Sequence, residues 1–332
     1  MNPWLKFKQR KLAYLSYIGF LLIFTLSLMA NILANDKPLI IFYQGHWFFP
    51  QIELLTEYDF FGTLPILPDY HSPVFIKNIL AHGWILNPPI PYSYNSIDFI
   101  STEPFPQSPS MSHWLGTDES GHDILAVLLY GIRISILFGL ILSFFSTIIG
   151  IFIGGACGYF GSLIDLIGQR FLELWSSLPT LYILIILASL IQPNFWSLLI
   201  IMTLVSWMGV VGVVRAEFFR VRAQDYVTSA RIMKASHWHI ATKHILPNAM
   251  TSAITLLPFL IASAIVGLSS LDFLGFGLPV DYPSLGKLML NAKQNLQAPW
   301  LSFTAFGSLT LILSLLVFIG EGLRDALDPR YP

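Results

Sequence analysis

Apolar positions along this chain gather into long unbroken runs rather than the one-sided stripes of a soluble helix. Six runs, at 13–34, 134–157, 172–191, 195–214, 250–271 and 302–320, approach the ~20 residues that a helix needs to cross a bilayer. Only Gln192, Pro193 and Asn194 separate the third run from the fourth, which predicts a tight turn. The first run follows Lys6, Lys8, Arg10 and Lys11, a positive stretch that also precedes secretory leaders. Its apolar part exceeds the ~7–15 residues of a leader, and no small-x-small cleavage site stands out, so a retained first helix is expected.

Between the first two runs the pattern changes. Residues 35–130 are rich in proline and aromatics, as in "WILNPPIPYSYNSIDF" and "STEPFPQSPSMSHW". Such stretches favour loop and edge structure over helix interior. The insert is too long for a plain connection and too aromatic to be simply disordered. It predicts a small folded cap containing some strand. The chain therefore divides into a first helix (1–34), an insert with a pre-span helix (35–130) and five further spans (131–332). No internal repeat or low-complexity tract is visible.

Composition sharpens the class. The chain is 55% apolar and 11% charged, against roughly 25% charged in soluble domains. An all-α integral membrane protein follows, with the lipid bilayer as its surroundings. A net charge of −1 argues against nucleic acid as a partner. The single cysteine, Cys157, rules out a disulfide within the chain and reads as a small buried hydrophobe.

Charge also sets orientation. The insert holds only Lys37 and Lys77, whereas the segment between the fourth and fifth runs holds Arg215, Arg220, Arg222, Arg231, Lys234 and Lys243. Lys and Arg mark cytoplasmic loops. Six crossings then place the insert outside and both termini in the cytoplasm.

Chemistry-bearing patterns are few. His46, His71, His82, His113 and His122 in the insert, and His237, His239 and His244 later, make no short metal-ligand spacing, so no metal is expected. No Gly-rich loop ending in Lys-Ser or Lys-Thr exists, so no nucleotide cofactor is expected in this chain. The runs are nearly free of ionisable groups, which starves an ion-coupled carrier acting alone, the rival transport reading. A membrane-embedded enzyme lacks its His/Asp/Glu cluster.

The segment after the fourth run is the most polar. Phe219, Ala223, Tyr226 with Val227, Ala230 and Met233 recur at helical spacing, opposite Gln224, Asp225, Thr228, Ser229 and Arg231. Ser236 suits the N-cap of a second short helix through Trp238, Ile240 and Ala241, and Pro247 is expected to end it. Two short helices along the membrane surface could anchor a loop or dock a cytoplasmic protein. On the docking reading, Tyr226, Ala230 and Met233 form a stripe that becomes buried on assembly.

Here the residues carry a resemblance. "YVTSARIMKASHWHIATKHILPN" (226–248) resembles the cytoplasmic signature of ABC importer permeases, Glu-Ala-Ala, three residues, Gly, then Ile-x-Leu-Pro. Thr228, Ser229 and Ala230 match its start, and Ile245, Leu246 and Pro247 its end. Thr228 replaces the signature acid and Lys234 the signature glycine. A left-handed turn at Lys234 costs an L-residue roughly 1–2 kcal/mol, so either Lys234 avoids it or the turn moves toward Ser236.

"HWLGTDESGHDILAVLLYGIRISILFGL" (113–140) resembles the pre-span motif of the dipeptide/oligopeptide branch at Leu115, Gly116, Thr117, Asp118, Gly121, Asp123, Tyr130, Gly131 and Arg133, with His122 in place of arginine. Asp118 and Asp123 suit the start of a short helix. "LSSLDFLGFGLPVDYPSLGKLM" (268–289) is similar to the branch's re-entrant outer segment. There Gly275 and Gly277 permit close backbone approach, and Asp272 is either a helix-end cap or a substrate contact. "APW" (298–300) and "GLRDALDPR" (322–330) complete the set. The insert looks like that of Yej-type permeases of Gram-negative inner membranes, a group associated with peptide and microcin C uptake.

The resemblance implies the type I importer permease fold. It also implies a coupling helix within 215–249 that seats in an ATP-binding subunit and carries Tyr226, Thr228, Ser229, Ala230, Arg231, Met233, Lys234, Ile245, Leu246 and Pro247. Expected partners are a second permease subunit, cytoplasmic ATP-binding subunits and a periplasmic peptide-binding protein. Asp118, Asp123, Asp272, Gly275 and Gly277 are candidates for the outer path or docking.

Overall fold

A computed structural model describes residues 3–62, 65–98, 104–279 and 281–327; the end of the 322–330 motif lies outside them. The chain begins with α1 (Pro3–Gln9), α2 (Lys11–Leu28) and α3 (Ala30–Leu33). The insert then supplies β1 (Ile40–Tyr43), β2 (His46–Phe48), α4 (Glu57–Phe61), α5 (Pro73–His82) and β3 (Gly83–Leu86). Next come α6 (Ile124–Phe160), α7 (Ser162–Ser176), α8 (Thr180–Leu190), α9 (Phe195–Ser206), α10 (Met208–Arg222), α11 (Asp225–Ile232) and α12 (His237–His239). A π-helical segment (Ile240–Ile245) leads into α13 (Leu246–Phe273), followed by α14 (Leu285–Gln294) and α15 (Pro299–Leu327).

Among the described residues, four helices are long and apolar enough to cross a membrane, and two bent pairs bring the number of spans up to six. The bends were not expected. Run 172–191 is interrupted between α7 and α8, which meet at 75°. Pro179 sits at that break, where it lacks an N–H and disfavours a helical Leu178. Between α9 and α10 the bend is 42°. The hydroxyls of Thr203 and Ser206 donate to the carbonyls of Leu199 and Met202 at 2.6 and 2.7 Å, a competition with the helix ladder that bends helices. The second span is also longer than its apolar run, because a helix need not end where the hydrocarbon does.

Two compact units divide the chain, and they are discontinuous in sequence: Met1–Leu22, Ser135–Val280 and Leu309–Pro332 in one, Ile23–Ile134 and Asp281–Ser308 in the other. Within the first, a core of Val210, Val214, Phe218, Val221, Val227, Ala230, Ile240, Ile245, Ala249 and Ala253 lies under the polar segment. Phe7, Ala13 and Ala326 form a smaller cluster where α1 and α2 meet the end of α15.

In the second unit the insert folds as an antiparallel sheet of order β2-β1-β3. Ile41, Tyr43, Phe60, Phe75 and Ile79 pack beneath it as an aromatic-rich core. The expected strand-containing fold is thus present. A second cluster, Ile124, Leu288, Ala292, Ala298, Leu301 and Ala305, joins the starts of α6 and α15 to α14.

Candidate functional site: the coupling segment and its outer counterparts

The polar segment starts where α10 runs out of apolar sequence. Arg215 forms a two-point ion pair with Asp165 of α7, with Nη2–Oδ2 at 2.7 Å and Nε on Oδ1. Its guanidinium and that of Arg222 both lie 4.9 Å from the Phe219 ring. Arg222 Nη1 donates to the Tyr159 carbonyl at 2.8 Å. These contacts fix the end of α10 before the chain turns at Gln224.

In α11, Val227 and Ala230 enter the chain's own core, while Thr228, Ser229 and Arg231 face outward. This corrects the expected stripe. Ala230 is only 4% exposed and is covered by its own chain, whereas Tyr226 at 46% and Met233 at 76% stand open. The helix is too short to keep Met233 in register: it ends at Ile232, and Met233 belongs to the turn.

That turn is a complete left-handed helix end. Ala235 N–H reaches the Ala230 carbonyl at 3.1 Å, Lys234 N–H reaches Arg231 at 3.0 Å, and Lys234 has φ +59°. This is the Schellman pattern, which usually takes glycine at the left-handed position. Neither expected escape is used: Lys234 adopts the costly conformation, and the turn stays in place. Partly buried Ala235 follows it into the core.

Ser236 accepts the His239 N–H at 3.2 Å, as expected of an N-cap. The helix it starts is not short, however. It continues through the π segment into α13 and ends only at Phe273. Pro247 therefore does not end the helix. It lies in the first turn of α13, immediately after the π segment, where the wider turn relieves its missing N–H and its clash with a preceding carbonyl. Ile245 is buried beside Ala230 in the same core, Leu246 packs against it, and Pro247 is exposed.

Around the turn, large apolar side chains stand in the open: Ile232 at 77%, Met233 at 76% and Trp238 at 74% exposure. Tyr226 leans toward α13, its hydroxyl accepting from Asn248 Nδ2 at 3.1 Å. The segment thus has a core closed by its own chain and an outer surface of mixed cationic and apolar groups.

The outer candidates are held by their own chain. Asp123 Oδ1 accepts the Ala126 N–H at 2.8 Å and so caps α6, which is 37 residues long rather than short. Asp118 Oδ1 instead accepts the Ser120 and His122 N–H groups, both at 2.9 Å, and shapes the turn before the helix. Asp272 is buried, and its Oδ1 accepts the Leu278 N–H at 2.6 Å, which favours the helix-end role. Gly277 packs directly on Asp272, leaving no room for a Cβ. Gly275 has φ +82° and closes α13.

The histidines carry more than their spacing suggested. His113 is buried, with Nδ1 2.9 Å from Asp123 and Nε2 3.3 Å from Asp98. The hydrogen bond to Asp123 raises its pKa, against the opposing effect of burial. His122 is raised likewise by its bond to Asp118. The partners come from loops without periodicity, so sequence offered no signal for these pairs.

Residues 146–331 match the family described as "Binding-protein-dependent transport system inner membrane component". The chain is 50% identical over 327 residues to the inner membrane ABC transporter permease protein YejE of Escherichia coli (strain K12), covering 98% of this chain and 96% of that one. It is 45% identical to the peptidoglycan transport system permease protein YejE of Agrobacterium fabrum (strain C58 / ATCC 33970), with 98% and 92% covered. The dipeptide transport system permease protein DppC of Bacillus subtilis (strain 168) is 33% identical over 67% of this chain and 70% of its own. Among solved structures, the MetNI methionine ABC transporter in inward-facing form matches with a TM-score of 0.52 at 15% identity, covering 61% of this chain and 96% of that chain, a likeness of fold. Nothing in these matches supports a lone ion-coupled carrier. In such systems ATP is hydrolysed by a separate subunit, so this chain is not itself an enzyme. With its apolar spans, its polar segment on a closed core and these matches, the chain belongs to the family of inner-membrane permease subunits of binding-protein-dependent ABC importers.

Proposed function

We propose that this chain is one of two permease subunits of an importer for short peptides or peptide-like compounds. Its partners are a second permease subunit, cytoplasmic ATP-binding subunits and a periplasmic peptide-binding protein. Both termini and the 215–249 segment lie in the cytoplasm, and the insert lies outside. The relatives named for peptidoglycan and dipeptide transport support the substrate class.

The observation that carries the coupling assignment is the surface around Lys234. Exposed Ile232, Met233 and Trp238 flank a rigid turn whose back is buried. An ATP-binding subunit would cover that surface, with Tyr226, Thr228, Ser229, Arg231, Met233 and Lys234 at the contact. Ala230, Ile245 and Leu246 set its shape from behind, and Pro247 lies exposed in the first turn of α13. Movement of the ATP-binding subunits would then be passed to α10 and α13 through the shared core.

The combined change Met233→Asp and Trp238→Asp tests this. Both side chains are exposed, so the melting temperature of the purified chain should stay at the parental value. Co-purification of ATPase subunits should fall more than about tenfold, the loss expected when interface anchors are removed. Parental transport with the ATPase subunits still bound would overturn the assignment.

A further inference from the structure

We propose that α1 and the first turns of α2 form a binding site for the headgroup of an anionic glycerophospholipid. The first acidic residue of the chain is Asp36, so Lys6, Lys8, Arg10 and Lys11 meet no carboxylate within their own helices. Nor does α1 trail away as a loose basic tail. An unbroken helix would hold Trp4 and Tyr17 about 20 Å apart, yet their rings meet edge to face at 5.8 Å. The chain therefore folds back at Arg10, and α1 lies against the start of the first span.

Phe7 locks the fold-back. It is buried with Ala13 and Ala326, and Gly322 of α15 leaves no room for a Cβ beside Ala13. Lys8 Nζ stands 5.5 Å from the centre of the Trp4 ring and 5.8 Å from that of Tyr14, so its ammonium is braced by aromatic faces. Lys8, Arg10 and Lys11 are all exposed. The adjoining turn of α15 adds Arg324, Glu321 and Asp325, of which Asp325 pairs with Arg10 at 3.1 Å. Among the described residues, positive charge stays in excess here. Below it, Lys11, Leu15, Ile18 and Leu22 recur on one face of α2. The three apolar members are 64%, 42% and 56% exposed, an open stripe that continues from the cationic end. Lysines beside Trp4, Tyr14 and Tyr17 match a phosphate with a further negative charge or no cation of its own, at the level where tryptophan and tyrosine settle. The stripe then matches an acyl chain, which an acidic protein surface does not supply. The site requires only that α2 crosses the bilayer, so it does not depend on which side the chain begins.

The test uses the full assembly in nanodiscs, with photoreactive phosphatidylglycerol or phosphatidylcholine carrying a diazirine high in the acyl chain. Phosphatidylglycerol should label Leu12 or Leu15, and phosphatidylcholine more than about fivefold less. The combined change Lys6→Gln, Lys8→Gln and Lys11→Gln should bring the two lipids toward equality while the partners stay bound. Phe7→Ser keeps every charge but frees α1, and it should lower the preference as well; if that variant fails to assemble, the glutamine variant decides. Equal labelling by both lipids in the parental protein, or a preference that survives the glutamine changes, would overturn the proposal. An undiminished preference in Phe7→Ser would also overturn it, since the charges would then act as a loose tail. So would cross-links from a photoreactive residue at position 15 to another subunit, which would show a protein occupant. Labelling is read without transport, so it stands or falls apart from the substrate assignment.

Discussion

Two helices of this chain end in the same hydrogen-bonded turn, and they place opposite kinds of residue at its left-handed position. After α13, Phe276 N–H reaches Leu271 and Gly275 N–H reaches Asp272, with Gly275 at the turn. After α11 the same two bonds form around Lys234. In both cases the helix carbonyls need partners, and the chain must leave at a steep angle. Glycine does this freely. Lysine does it because Val227, Ala230 and Ala235 pack on the core on either side of the turn. Local preference at Lys234 is overruled by packing, so strain is stored at the Lys234 turn and not at the Gly275 turn.

Ala230→Trp attacks the packing that enforces the strained turn and should have the largest effect. Overpacking a closed core costs about 1–3 kcal/mol. The melting temperature of the chain alone should drop, before any partner is considered. An unchanged melting temperature would mean that Ala230 faces outward after all.

Gly275→Ala comes next. No atom lies within 4 Å of a Cβ built there, so the cost is conformational only, about 1 kcal/mol. Thermal denaturation should show a small loss, and a larger one would point to a contact made only in the assembly. Lys234→Gly should move the other way, gaining at most about 1 kcal/mol because the unfolded chain also gains freedom. A loss of stability there would show that the lysine stem contributes packing worth more than the strain.

A smaller change, confined to one loop, needs no mutation. His113 and His122 have raised pKa values in the fold, so their contribution is complete below about pH 6.5 and fades as pH rises through the raised values. Amide protection of residues 116–127 should fall as pH rises above about 6.5, while the Lys234 and Gly275 turns hold. His113→Asn should flatten most of that response. A parallel loss at the Lys234 turn would break the distinction between the two regions.

The spans were legible because each is a run of apolar residues as long as a bilayer is thick. Their bends were not: Pro179 lies inside an apolar run, and hydroxyls such as Thr203 and Ser206 also occur in straight helices. Helical spacing revealed that α11 is amphipathic, but it could not tell which apolar residues its own chain would cover. Hence Ala230 was grouped with Met233. Pro247 misled for a related reason, since a proline rule written for α-helices does not anticipate a π turn before it. The aspartate partners of His113 were invisible, because Asp98 and Asp123 reach it through loops whose course only the folded insert determines.

The six residues from Ile240 to Ile245 close their turns over five residues, one more than the α-helices on either side use. A helix with one surplus residue is a screw with a spare step of thread. Taking up that residue turns everything before it by about 100° relative to α13 and changes the length by about 1.5 Å. Trp238 and the Lys234 turn sit on the far side of the step, so a shift of one residue reaches them as rotation rather than travel.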